Sequence, residues 1–220
     1  MTGGTLNTTG TRSSIGDTAV GKAVFNLSDG AATFNDRIML GDHGHGEINM
    51  SGGTLGSNVG INMGCRGGTS GDIYLSDGTI TVPSIWLGDD GGATAILEVT
   101  GGAINLSDTL YVNTYSSGSL GGMMSLDGGV VTASALSMVN ADDVAGTLDI
   151  AGGTLILDGE IDSSWQYYVD GWVTANGGTG TLDFDYDSGS DTTTITAVPE
   201  PATMGLLALG GLGVLIRRKR

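Results

Sequence analysis

Cysteine is nearly missing from this chain. Cys65 is the one cysteine among 220 residues, which excludes an internal disulfide framework and any cysteine-cluster metal site. Its ordinary reading is a small, semi-buried core residue. Aromatic residues are also scarce, at three Phe, three Trp and six Tyr, so a conventional globular core would be thin. Basic charge is scarcest of all where it would matter for nucleic acid. Four of the eight Lys and Arg are the final residues, Arg217, Arg218, Lys219 and Arg220. The rest of the chain sets Arg12, Lys22, Arg37 and Arg66 against 24 acidic residues, a net charge of −20. Such a body repels phosphate backbones, and nucleic acid is excluded as a partner.

What is abundant is glycine, with 41 residues. It has no collagen period and sits among Val, Ile, Leu, Met and Thr, a composition that points to a turn-rich β protein. The glycines also repeat. "NLSDGAATF" (26–34), "NMSGGTL" (49–55), "YLSDGTI" (74–80), "EVTGGAI" (98–104), "SLDGGVV" (125–131) and "DIAGGTL" (149–155) align on the glycine that closes each Asp-Gly or Gly-Gly pair, at Gly30, Gly53, Gly78, Gly102, Gly129 and Gly153. The spacings are 23, 25, 24, 27 and 24 residues.

Each period contains three short alternating stretches. In residues 72–95, Ile73 and Leu75, then Ile80 and Val82, then Ile85 and Leu87 share a side. Alternation with period two is the strand signature, and none of the stretches is long enough for a helix. Three strands per period of about 24 residues predict an all-β fold, a parallel β-helix or β-solenoid of about six coils over 1–159. Antiparallel hairpins in a sandwich would explain the turn spacing but not one glycine motif recurring at one phase. The solenoid reading predicts an inward ladder of Leu27, Met50, Leu75, Val99, Leu126 and Ile150. It also predicts a neighbouring hydroxyl ladder of Ser28, Ser51, Ser76 and Thr100.

The repeat stops near Asp158. Residues 160–197 hold two of the three tryptophans and three of the six tyrosines, and they are expected to cap the open end, with strands near 180–186 and 192–198. The competing use of Trp165, Tyr167, Tyr168 and Trp172 is as an aromatic carbohydrate platform.

Metal and catalytic chemistry find little support. "LGDHGHGE" places Asp42, His43, His45 and Glu47 within six residues, all ligand types that zinc accepts. They are expected to lie in one solvated glycine-rich turn, with no third histidine to close a site. Asp89, Asp90, Asp142 and Asp143 offer oxygen atoms to calcium but match no EF-hand loop. A polysaccharide-degrading β-helix enzyme needs converging carboxylates, or a basic residue beside a bound cation. Arg12, Lys22, Arg37 and Arg66 fall in different coils at different phases. No enzyme activity and no cofactor are expected.

The end of the chain, "VPEPATMGLLALGGLGVLIRRKR" (198–220), stands apart. Ala202 to Ile216 carries no charge, and as a helix it would span about 22 Å, a little less than the hydrocarbon core. No polar face interrupts it, and Arg217–Arg220 would hold the C-terminus on the cytoplasmic side. Pro199-Glu200-Pro201, the apolar segment 202–216 and Arg217-Arg218-Lys219-Arg220 together resemble the PEP-CTERM sorting signal of exported bacterial proteins. The resemblance implies recognition of Pro199, Glu200 and Pro201 by an exosortase in the cytoplasmic membrane. Segment 202–220 would then be a transient anchor, and cleavage would release the body to the cell surface, often into an exopolysaccharide-rich matrix. The coils are similar to the repeats of autotransporter passengers.

Members of that family open with a secretion signal, whereas "MTGGTL" reads like the middle of a coil (compare "SGGTL", 51–55). This predicts an N-terminally truncated solenoid whose uncapped first coil self-associates. The expected function is a non-enzymatic exported scaffold of the envelope or extracellular matrix. A glycan-binding adhesin is the first alternative, and a β-helix polysaccharide-degrading enzyme the second.

Overall fold

A computed structural model describes residues 1–89, 92–113, 121–138 and 146–198. The protein is a β-solenoid of about six turns. Its strands are, in chain order, β1 (Thr2–Thr8), β2 (Ser13–Ile15), β3 (Lys22–Leu27), β4 (Asp29–Phe34), β5 (Ile38–Leu40), β6 (His45–Ser57), β7 (Ile61–Met63), β8 (Ser70–Val82) and β9 (Ile85–Leu87). There follow β10 (Thr94–Leu106), β11 (Thr109–Val112), β12 (Gly121–Ala133), β13 (Ala135–Ser137), β14 (Thr147–Ile150) and β15 (Thr154–Asp158). After them come α1 (Gln166–Val169), β16 (Val173–Ala175), β17 (Leu182–Asp187) and β18 (Thr192–Ala197).

The three stretches per period are present but make two sheets, not three. In β6, β8, β10 and β12 the first two stretches fuse into one 13-residue strand. The glycine motif bends each of these strands without ending it, as a register shift at Met50–Thr54 and Val99–Ala103 records. The third stretch forms a separate parallel sheet in the order β13-β11-β9-β7-β5-β2.

The predicted ladder holds residue for residue. Leu27 pairs with Met50, Met50 with Leu75, Leu75 with Val99, Val99 with Leu126 and Leu126 with Ile150. It runs one rung beyond the last repeat, because β16 pairs in parallel with β14 and sets Ala175 on Ile150. A second ladder, Ala32–Leu55–Ile80–Ile104–Val131–Leu155, lines the next wall. A third, Ile38–Ile61–Ile85–Leu110–Leu136, lines the separate sheet. All of these residues are buried, so the core needs no large aromatics.

The glycine column has a steric cause. Gly78 has φ +97°, and a Cβ there would lie 2.7 Å from Gly53 O. Gly53, Gly102 and Gly129 repeat that left-handed conformation and close approach to the coil before. Only glycine fits a turn whose backbone rests on its own copy one rung away. The hydroxyl ladder takes a different form from the one expected. Ser76 Oγ donates to Met50 O at 3.1 Å and Thr100 Oγ1 to Leu75 O at 3.5 Å. These side chains bond across coils to backbone carbonyls, where the bend has opened the ladder, rather than to one another.

Residues 160–197 end the parallel stack. β18 pairs antiparallel with β15, and β17 antiparallel with β18. Trp165, Tyr167, Tyr168, Trp172 and Phe184 are half-buried against the core. Segment 202–216 lies outside the described residues; among those described, no helix is long and apolar enough to cross a membrane.

Truncating a middle rung tests the ladder: Leu75→Ala should cost about 2–5 kcal/mol. Gly78→Ala should cost at least ~1–2 kcal/mol from the left-handed backbone alone. Removing the cross-coil hydroxyl in Ser76→Ala should cost about 1 kcal/mol or less. Urea unfolding midpoints should rank the three variants in that order of severity, with Ser76→Ala mildest.

Candidate functional site

The quartet Asp42, His43, His45 and Glu47 is divided, because the chain turns within it. Asp42 and His43 lie in the bend after β5, whereas His45 and Glu47 already belong to β6 and point outward from the same face. The expectation of one solvated turn fails. Asp42 is 2% exposed and Glu47 9%, and each sits at the centre of its own charged cluster.

In the first cluster, the Asp42 carboxylate receives Arg12 from one coil and Arg66 Nε, at 3.1 Å, from another. His43 Nδ1 lies 2.9 Å from Asp17 and 3.3 Å from Asp42. The hydrogen bond from His43 holds the Asp17 carboxyl below its ordinary range. Arg12 and Arg66, read from the sequence as falling at unrelated phases, thus converge on one buried carboxylate. Loops of successive coils stack above one another, and long guanidinium side chains reach across rungs.

In the second cluster, Glu47 on β6 and Asp72 on β8 are register partners, two carboxylates placed side by side. The Lys22 ammonium pairs with Glu47, and Asn49 Nδ2 donates to Glu47 Oε1 at 2.8 Å. His45 Nε2 lies 2.8 Å from Asp72 Oδ2. The Lys22 bond is the main reason that Glu47 is held below the usual carboxylate range; burial opposes it, and Asn49 assists. Lys22 is raised in turn, chiefly by Glu47. Ligand atoms of His45, Glu47 and Asp72 lie within 4.8 Å of one another, as do those of Asp17, Asp42 and His43. A metal ion at either place would compete with cations already seated on the carboxylates.

The four aromatic candidates form a packed group. Trp165 and Tyr167 have centroids 5.3 Å apart, Tyr167 and Trp172 5.7 Å, and Tyr168 meets Phe184 edge-on at 5.6 Å. Their rings are tilted against one another and against the core, rather than presented as a plane. Trp165 borders a concavity of about 370 Å³ with Glu160, Asp162 and Ser164.

A second aromatic group lies on the separate sheet. Trp86 and Tyr111 are register partners on the separate sheet, stacked at 5.4 Å with planes 5° apart. The Arg37 guanidinium covers the other side of Trp86 at 4.8 Å. The signal was available in "IWL" and "LYV", two outward aromatics one period apart. Cys65 is buried and donates to Asn62 O. Burial first, then Asp89 and Asp42, push its thiol up to about 12, which leaves it inert at neutral pH. Asp89 accepts a hydrogen bond from Asn62. Asp90, Asp142 and Asp143 lie outside the described residues, as do Pro199, Glu200, Pro201, Arg217, Arg218, Lys219 and Arg220.

Fold and charge define an acidic, three-sided β-solenoid. Its ending defines how it is handled: residues 197–220 match the PEP-CTERM protein-sorting motif. The chain carries the signal of an exported protein that an exosortase processes at the membrane. No curated protein and no solved structure matches it.

The Lys22–Glu47 pair sets a pH window. Glu47 is depressed and Lys22 raised, so their contribution is whole between the ordinary carboxylate and lysine ranges. It is lost as pH falls through the lowered Glu47 value, and again as pH rises through the raised Lys22 value. Lys22→Met should therefore lower the melting temperature at neutral pH and flatten its acid-side decline. Thermal melts of both proteins across the acid range measure this.

Proposed function

We propose that this protein is a non-enzymatic scaffold of the bacterial envelope or extracellular matrix, delivered by its C-terminal signal. The sorting motif on an acidic solenoid carries the reading. Segment 202–216 anchors the chain transiently in the cytoplasmic membrane, with Arg217–Arg220 on the inner side. Cleavage near Pro199-Glu200-Pro201 then frees the body for the cell surface.

A scaffold role is supported by how the charged groups are used. Among the described residues, Asp42, Glu47 and Asp72 are the most buried carboxylates, and each is engaged by Arg, Lys or His from another coil. Groups committed to holding coils together are poorly placed to move protons in a reaction. Self-association belongs to the same reading. Among the described residues β1 is paired on one side only, with β4. A further parallel coil that repeats the motif, such as one from a second copy, would fit against this margin.

Mass spectrometry of protein recovered from the cell surface should find a C-terminus close to Pro201. Glu200→Ala should leave the full-length chain in the membrane fraction. Recovery of Arg220 on the surface form of the wild type would make the tail a permanent anchor and overturn the sorting step.

A further inference from the structure

The outer face of the larger sheet holds a groove that no ion pair fills. Outward side chains of β3, β6, β8, β10, β12 and β14 stack into a column along the solenoid axis: Asn26, Asn49, Tyr74, Glu98, Ser125 and Asp149. Beside it, at the bend, runs the hydroxyl column Ser28, Ser51, Ser76 and Thr100. A concavity of about 290 Å³ lies along both columns from Asn26 to Glu98. A second, of about 360 Å³, continues from Tyr74 and Glu98 to Met123, Ser125 and Asp149. The two share Tyr74 and Glu98, so they form one track across six strands, or roughly 24 Å at the spacing of paired strands. One rung is close to the length of one pyranose in an extended β-linked chain.

The groups along the track are mostly acceptors. Ser28, Ser76 and Thr100 spend their protons on backbone carbonyls. Asn49 Nδ2 donates to Asn26 and to Glu47, so of this amide only the carbonyl oxygen is left to bond a ligand. Glu98 is half-buried at the centre and, among the described residues, makes no hydrogen bond or ion pair. Its register partner is Tyr74, a half-buried ring. A ligand suited to this track offers donors and positive charge, has apolar ring faces for Tyr74, and is long and regular.

We propose that the track binds an extended polysaccharide carrying free amino groups, with Tyr74 beneath a sugar ring and Glu98 on an ammonium. Uronic-acid and phosphate polymers are repelled by the acidic body. A basic peptide is the poorer fit. Peptides that join sheets do so at free edges, whereas β6, β8, β10 and β12 are paired on both sides. The site is distinct from the aromatic group of Trp165–Trp172, whose rings pack on one another. It depends on the sorting signal only for where the polymer is met.

Titration of the full chain with β-linked glucosamine oligosaccharides, by calorimetry in mildly acidic buffer, tests this. The glucosamine chain should bind, and its fully N-acetylated counterpart should bind about tenfold more weakly or worse. Glu98→Gln and Tyr74→Ala should each weaken binding by about tenfold, with Trp172→Ala unchanged. Glu98→Gln keeps the size of the half-buried side chain and removes only its charge, so unchanged melting of that variant separates lost binding from lost folding. Equal binding of the N-acetylated chain, loss on Trp172→Ala, or equally tight oligolysine binding that ignores Tyr74→Ala would overturn the proposal. C-terminal processing is read separately, by mass, and does not depend on this outcome.

Discussion

Every coil of this protein lies one hydrogen-bond spacing, about 4.8 Å, from a copy of itself. That constraint decides what each position can hold. An aliphatic side chain set on another aliphatic side chain loses water on both sides, so the columns through Leu75, Ile80 and Ile85 are favourable at every rung. The same proximity is hostile elsewhere. At the bend the backbone of one coil touches that of the next, and a single Cβ at Gly78 would overlap Gly53 O. The large glycine content is thus a cost of stacking at the corners, and the scarcity of aromatics follows from walls only one side chain deep.

Charge obeys the rule too. Two carboxylates in register at this spacing repel by roughly 1 kcal/mol even in water, and by more when half-covered. The chain carries 24 acidic residues yet sets Glu47 directly on Asp72. Lys22 and His45 attend that pair, and Arg12 with Arg66 attends Asp42. All of the basic residues outside the tail except Arg37 are used in this way, and Arg37 covers Trp86. The few cations therefore sit where stacked or buried anions require them, while the remaining acidity stays on the surface. Glu98 differs because its register partners are Tyr74 and Ser125; with no anion beside it, it needs no cation.

What could be read from the sequence was what repeats. The ladder from Leu27 to Ile150 and strands near 180–186 and 192–198 follow from alternation and a fixed period, and both are local signals. The charged clusters were illegible because they join residues a whole coil apart whose loops differ in length. Nothing in "LGDHGHGE" shows that Arg12 and Arg66 approach from flanking coils, or that the bend sends Asp42 and Glu47 to different clusters. Trp86 and Tyr111 lay between these extremes. Their shared phase is visible one period apart, but the stacking of the two rings depends on the register of the separate sheet. The added rung at Val173–Ala175 was hidden because it lacks the glycine motif and carries the inward pattern on only two residues.

The two margins of the larger sheet are chemically unlike. β17 carries Asp183, Asp185 and Asp187 on one face, each opposite a threonine of β18. A further strand paired there would have to place its own side chains beside three carboxylates, and its twin in a second copy would bring three more. Charged edges of this kind oppose strand addition. β1, "TGGTLNT", bears no charge and keeps the glycine pair of the repeat. Any added coil that follows the motif can match its bend, ladder and hydroxyl bonds. A further coil is therefore compatible with the β1 margin and opposed at β17.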